Sequence, residues 1–165
     1  MKSHHLGDIN ILVSFALLPA LGTFFVAVGA YDPQSLLMIL PIGLITVAIL
    51  HANNTRDVKT DLQAGLGTIT TSVSLMNAKA IYAFEIFAPY ALALLYVVLL
   101  GQPWTLLAVV LTLPLALRNV RTMIQAEDDL PYRGIQRLDQ TTAQLQMAFG
   151  LLYALGFFLG SWLGV

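Results

Sequence analysis

The chain has 165 residues, of which 58% are hydrophobic and only 10% are charged, and its net charge is −1. Such a small share of charged residues is not typical of a soluble globular domain. The absence of cysteine excludes disulfides and thiolate chemistry. We therefore expect a protein surrounded by membrane lipid, and we expect no nucleic acid among its partners.

Apolar residues occur in long blocks, each close to the roughly twenty residues that a bilayer crossing needs. These blocks are too apolar on all sides to be surface helices with one buried face. The first block is interpreted as a membrane helix, because Pro19 and Gly22 provide no cleavage site for a signal peptide. The predicted fold is all-α, a polytopic integral membrane helical bundle that forms a single domain over residues 1–165. Its five transmembrane helices are expected at about 10–30, 35–53, 80–100, 103–119 and 143–163.

The basic residues predict how the chain is oriented. They fall before the first span, between the second and third, and between the fourth and fifth: Lys2, Arg56, Lys59, Lys79, Arg118, Arg121, Arg133 and Arg137. Lysine and arginine concentrate in cytoplasmic loops. We therefore expect the N-terminus and both polar connections, 54–79 and 118–142, in the cytoplasm. The C-terminus is then expected on the opposite side of the membrane.

Turn residues and prolines indicate where helices begin, end and bend. Ser35 is expected to cap the second helix, and Gly65 and Gly67 are expected to end it after Asp61. A proline inside a membrane helix frees carbonyl groups, which neighbouring helices or water must then satisfy. Four prolines lie inside the predicted spans: Pro19, Pro41, Pro89 and Pro114.

A polar segment follows the second span directly and holds the strongest candidate site. If the helix continues through it, Asn53, Asp57 and Asp61 recur at i, i+4 and i+8 and share one face. Two carboxylates and an amide offer oxygen ligands of the kind that Mg²⁺ takes, usually together with phosphate oxygens. The alternative is a solvated helix end, in which Arg56 and Lys59 serve only as topology-determining charges.

This segment resembles a known motif, which stands here as Asn53-Asn54-Thr55-Arg56-Asp57, then Asp61, Ala64-Gly65 and Thr68-Ile69. It is similar to the second aspartate motif of the UbiA family of intramembrane prenyltransferases. The closest branch is the one that prenylates 1,4-dihydroxy-2-naphthoate in menaquinone and vitamin K synthesis. Supporting similarities cover nearly the whole chain, including Leu6-Gly7-Asp8, Leu130-Pro131 and the stretch 150–156, which begins and ends with glycine.

The resemblance implies a nine-helix bundle in which two aspartate motifs face each other across a cavity. In that family the motifs hold Mg²⁺ against the diphosphate of an isoprenoid donor, and an aromatic quinone precursor attacks the allylic cation. Carried over to this sequence, Asp57 and Asp61 become the catalytic metal ligands. Asn53, Asn54 and Arg56 become substrate-binding residues. The implied cofactor is Mg²⁺, and the implied substrates are an isoprenyl diphosphate and the aromatic acceptor.

The sequence departs from the family pattern in two respects. It contains no earlier motif of the form N-x-x-x-D-x-x-x-D, so it resembles only the C-terminal half of a member. It is therefore expected to be a fragment, a split product that needs a separate N-terminal half, or a degenerate relative, and to be inactive alone. Leu62 and Gly67 also stand where some members carry basic residues. The absence of those basic side chains is expected to weaken phosphate binding.

Other ionisable residues, and rival functions, remain open. Glu85 lies within the third span, where a functional and an interfacial role are equally supported. His51 fits an interfacial residue better than a proton acceptor, and Arg118 is either a topology determinant or a phosphate ligand. The rival functions are a non-catalytic or degenerate membrane subunit and a small ion-binding transporter that uses Asp57 and Asp61.

Overall fold

The computed structural model describes Asn10, residues 12–127 and residues 132–165. Lys2, Leu6–Asp8 and Leu130–Pro131, which entered the sequence predictions, lie outside the described residues. All regular secondary structure in the described part of the chain is helical, without strands. A π-helical turn at Leu12–Leu17 leads into α1 (Leu18–Val28), followed by α2 (Pro33–Gln63), α3 (Ile69–Ser72) and α4 (Leu75–Leu100). A 3₁₀ segment (Trp104–Thr112) then runs into α5 (Leu113–Ile124), and α6 (Leu138–Leu163) is the last helix.

Among the described residues, four helical segments are long and apolar enough to cross a membrane. They are Pro33–Gln63, Leu75–Leu100, Trp104–Ile124 and Leu138–Leu163, whereas the apolar helix Val13–Val28 is shorter. The predicted class, a polytopic helical membrane bundle, is confirmed. Both polar connections are shorter than predicted, because the helices on either side of each extend into them.

The second helix continues through the polar motif, as the alignment of its acidic residues required. Helix α2 has 31 residues and is therefore roughly 46 Å long, which exceeds the apolar thickness of a bilayer. Asp32, rather than Ser35, caps it: its carboxylate accepts a hydrogen bond from the backbone N–H of Gln34 at 3.0 Å. Gly65, with φ +68°, follows the end of the helix in a left-handed conformation that suits glycine.

Tyrosines on neighbouring helices bond the Leu37 carbonyl, which Pro41 leaves without its helical donor, and the next carbonyl, that of Met38. Proline at this position in α2 removes a backbone donor and displaces the preceding turn. The Tyr96 hydroxyl donates to the carbonyl of Leu37 at 2.6 Å, and the Tyr153 hydroxyl donates to the carbonyl of Met38 at 3.0 Å. These bonds tie α2 to α4 and α6 inside the apolar region, where water is not available to replace them.

The core is formed where α2, α4 and α6 meet the 3₁₀ segment and α5. Tyr82 is fully buried, and its hydroxyl lies 2.6 Å from the Thr142 hydroxyl of α6. Phe149 is also fully buried and packs edge-to-face on Tyr90. The outer surface of the helices is strongly apolar, as expected for helices facing lipid. Exposed side chains include Phe84, Leu99, Leu111, Met147, Leu151 and Trp162.

Gly156 and Gly160 let α6 lie close to the start of the 3₁₀ segment. The contact at Gly156 gives a first prediction. A Cβ on Gly156 would lie 2.8 Å from the Thr105 carbonyl oxygen and 2.9 Å from the Leu106 Cα. Because both atoms belong to the backbone, Gly156→Ala is expected to destabilise the bundle by about 1–3 kcal/mol through overpacking. Thermal unfolding of the purified chain in detergent measures this effect.

Gly150 provides the matched control for that prediction, since it lies on the same helix. A Cβ there would meet only the Ile42 Cδ1 at 4.0 Å, which is an ordinary contact. Gly150→Ala should therefore leave the unfolding temperature unchanged or raise it slightly. Equal losses of stability in both variants would show that close packing at Gly156 does not hold α6 in place.

Candidate functional site

The predicted polar strip forms one face of α2. Asn53, Asp57 and Asp61 occupy successive turns of the continuous helix, so their side chains lie on one side of it. All three are partly exposed. No described residue donates a hydrogen bond to the Asp61 carboxylate, which stays available to a ligand. Asn54 is also partly buried, but it does not belong to the hydrogen-bonded cluster described next.

Arg56 is the centre of a cluster that joins two helices. Its Nε donates to Asp57 Oδ1 at 2.8 Å, and its Nη2 donates to Asp57 Oδ2 at 2.9 Å. The same Nη2 donates to Asn53 Oδ1. Its Nη1 reaches across to α6 and donates to Asp139 Oδ2 at 2.7 Å. The planar guanidinium thus binds Asp57 with two parallel bonds and uses its remaining donors to fix Asn53 and Asp139.

Asp139 was not predicted as a site residue. It lies in the first turn of α6, 83 positions after Arg56, and no local pattern connects the two. Its Oδ1 is buried and has no hydrogen-bond partner in the described part of the chain. The only sequence signal was its position as an acid at the start of a helix, which is common for reasons of helix stability alone.

An apolar groove of about 270 Å³ adjoins this cluster. Asn53 and Asp139 form its polar end, and its remaining wall is mainly apolar, including Phe15, Ile49 and Leu50. The groove lies between the π-helical turn that holds Phe15, α2 and α6. Such a combination suits an amphiphilic ligand, whose charged group would face the cluster and whose hydrocarbon would follow the apolar wall.

The donor set for a magnesium ion is present in part. Asp57 and Asp61 offer carboxylates and Asn53 offers an amide oxygen, all ligands of the kind that Mg²⁺ takes. Within the described ranges, no three His, Cys, Asp or Glu side chains are grouped so as to hold a metal ion. Mg²⁺ commonly takes one or two carboxylates and completes its shell with water and substrate phosphates. The residues therefore fit a Mg²⁺–diphosphate complex, for which Asp57 must exchange Arg56 for the metal.

His51 and Glu85 form a separate buried pair. His51 is 1% exposed, Glu85 is 5% exposed, and His51 Nδ1 lies 3.4 Å from both carboxylate oxygens of Glu85. His51 precedes Asn53 by two residues and thus lies on another face of α2, turned toward α4. The pair joins α2 to α4 inside the bundle and is not part of the aspartate strip. Both side chains are buried between the helices.

These features define a polytopic helical membrane protein with an acidic strip next to an apolar groove. The chain matches the UbiA prenyltransferase family over residues 1–135. It therefore belongs to that family. The family resemblance inferred from the aspartate motif is confirmed, whereas the assignment to its menaquinone branch stays a prediction.

Several vertebrate and insect proteins named UbiA prenyltransferase domain-containing protein 1, or its homolog, are similar to this chain. The Xenopus tropicalis protein is 34% identical over 158 residues, which cover 93% of this chain and 42% of that protein. The human protein is 32% identical over 155 residues, covering 93% and 43%. The Drosophila melanogaster homolog is 34% identical over 154 residues, covering 90% and 39%. The chain thus spans about two-fifths of the length of these relatives.

Proposed function

We propose that this chain provides the second aspartate motif of a Mg²⁺-dependent aromatic prenyltransferase. The donor is an isoprenyl diphosphate, and the acceptor is 1,4-dihydroxy-2-naphthoate or a similar quinone precursor. The observation that best supports this proposal is that the strip of Asn53, Asp57 and Asp61 reaches an apolar groove at its Asn53 end. The strip suits a diphosphate with its metal, and the groove suits hydrocarbon.

Asp57 and Asp61 would hold the metal, and Asn53 would support it with an amide oxygen. When bound, Mg²⁺ supplies charge neutralisation for the departing diphosphate. In the reaction, the bond between the allylic carbon and the diphosphate oxygen breaks, and its electron pair leaves with the diphosphate. The acceptor ring then provides the electrons of the new carbon–carbon bond. The attacked ring carbon would next lose a proton, or carbon dioxide where it carries the carboxylate, and the electrons of that broken bond would restore the aromatic ring.

Arg56 would change partners during substrate binding. In the structure, two of its bonds neutralise Asp57, and its Nη1 is held by Asp139. Once Asp57 contacts the metal, the Nε and Nη2 donors of Arg56 become available for a diphosphate oxygen. Because arginine binds phosphate with a planar pair of donors, the bond to Asp139 would keep that pair oriented.

The proposal is tested by prenyl transfer in membranes that contain residues 1–165 together with a polypeptide bearing the family's first aspartate motif. With Mg²⁺, an isoprenyl diphosphate and 1,4-dihydroxy-2-naphthoate, chromatography should detect the prenylated product. Residues 1–165 alone should give none, because the two carboxylates on one helix would hold Mg²⁺ against only one side of the diphosphate.

The controls separate the reaction from the acceptor assignment. The same membranes without Mg²⁺ should be inactive, and a monocyclic hydroxybenzoate should replace the naphthoate only poorly. Efficient transfer to the hydroxybenzoate would contradict the proposed acceptor but not the reaction. Turnover by residues 1–165 alone would contradict the need for a second motif. Failure with every acceptor, in a complex shown to assemble, would contradict prenyl transfer itself.

A further inference from the structure

A second pocket, of about 370 Å³, lies between the end of α5 and the start of α6. We call it the α5–α6 pocket. Most of its lining is polar, and the described residues that line it include no acid. The side chains used in the argument below are Arg118, Asn119 and Thr122 from α5, and Arg137, Gln140 and Gln144 from the start of α6. No function assigned above uses this pocket.

Asn119 indicates that the pocket is built to receive a hydrogen-bond acceptor. It is only 2% exposed, yet its Nδ2 has no hydrogen-bond partner in the described residues. A buried amide donor without a partner is unfavourable, and such groups are normally satisfied in proteins. An acceptor bound in the pocket would satisfy it.

The charge of the pocket points to an anion. Arg118 and Arg137 contribute two guanidinium groups, and no salt bridge in the described ranges engages either one. Two arginines without an ion pair among the described residues, together with an amide and a hydroxyl donor, suit the tetrahedral oxygens of a phosphate group. A carboxylate would use fewer of these donors.

The α5–α6 pocket is distinct from the aspartate strip. Arg137, Gln140 and Gln144 follow at i, i+3 and i+7 and share one face of α6. Asp139 and Gln146 lie on another face, where they contact Arg56 and Thr46 of α2. A ligand in this pocket would therefore not occupy the proposed magnesium site.

An apolar stripe leads into the pocket along α5 and its 3₁₀ extension. Leu111 and Leu115 are 75% and 39% exposed, and with Arg118 and Thr122 they follow at i, i+4, i+7 and i+11. This spacing places all four on one side of the helical segment, with the polar members toward its end. The stripe offers a path for an acyl chain below a phosphate group, as lipid headgroup sites between membrane helices require.

We infer that the α5–α6 pocket binds a phosphate group. The apolar stripe favours the phosphodiester of an anionic phospholipid over a free phosphate ion as its source. Arg118 and Arg137 would each bind phosphate oxygens, and the Asn119 amide would donate to a third. The site would hold this lipid whether or not prenyl transfer occurs, so a failure of the proposed reaction would not refute it.

The test measures lipid retention by the purified 165-residue chain with native mass spectrometry. Phosphatidylglycerol is the anionic lipid, and phosphatidylcholine is the neutral comparison. Arg118→Gln and Arg137→Gln should each lower the affinity for phosphatidylglycerol about tenfold, as the loss of charge-assisted hydrogen bonds predicts. Arg121→Gln is the matched control, because Arg121 lies on the same helix with the same charge but does not line the pocket. The affinity of the Arg121→Gln variant for phosphatidylglycerol should stay within about twofold of that of the unchanged chain.

Titration calorimetry with inorganic phosphate and diphosphate distinguishes the two sources. Arg118-dependent binding of the lipid alone supports a headgroup site, and Arg118-dependent binding of a free anion supports a phosphate-ion site. Asn119→Ala should weaken either ligand. Because Asn119 is buried and its replacement can disturb folding, the two exposed arginines decide the result. Equal losses in the Arg118 and Arg121 variants, or no binding of any of these ligands, would overturn the inference.

Discussion

Replacement of Asp57 or Asp61 by asparagine is expected to remove most prenyl transfer in the assembled enzyme. Each change keeps the size of the side chain but removes a negative charge that the proposed Mg²⁺ site would require. The expected loss in kcat is about 10²–10³-fold, similar to the loss of one group that stabilises transition-state charge. Both proteins should remain in the membrane at normal levels, because both side chains are partly exposed.

The double variant should be little worse than either single variant, since residues that act on one metal are strongly non-additive. Asp32→Asn is the control. It makes the same chemical change at the opposite end of α2, where asparagine caps a helix as well as aspartate does. Near-normal activity in both the Asp57 and the Asp61 variant would refute the metal assignment. An equal loss in the Asp32 variant would point to damage of the helix instead.

Replacement of Arg56 by glutamine should change the affinities for metal and for diphosphate in opposite directions. Without Arg56, Asp57 loses the two bonds that neutralise it, so the strip becomes more attractive to a divalent cation. Binding of Mn²⁺, measured by electron paramagnetic resonance without diphosphate, should strengthen. The KM for the isoprenyl diphosphate should instead rise about tenfold, because a charge-assisted bond to phosphate is lost.

Asp139→Asn tests whether α6 positions Arg56. This variant leaves the Arg56–Asp57 bonds in place and removes only the charge that holds Nη1. We expect a smaller rise in KM, about threefold to tenfold, with little change in Mn²⁺ binding. In a double-mutant cycle, Asp139→Asn should have little further effect once Arg56 is glutamine. Simple additivity of the two changes, or weaker Mn²⁺ binding in the Arg56 variant, would contradict the exchange of partners.

The amino-acid sequence by itself determined the class of protein and the acidic strip. Long apolar blocks of this kind predict membrane helices, because a helix satisfies its backbone N–H and C=O groups within a single segment. The spacing of Asn53, Asp57 and Asp61 is a property of a single helix and can be read directly from their positions. Five spans were predicted, but the first is not among the four helices of the described residues that are long enough to cross a membrane, because Val13–Val28 is too short.

Tertiary structure alone decided how these residues are connected to the rest of the bundle. Asp139 approaches Arg56 from a helix 83 positions away, and Tyr96 bonds the Leu37 carbonyl that Pro41 leaves without its helical donor. The His51–Glu85 pair and the α5–α6 pocket likewise depend on which helices become neighbours. Periodicity fixes which residues share a face of one helix, but not which helix that face meets. That choice depends on packing between segments distant in the chain, which no local pattern records.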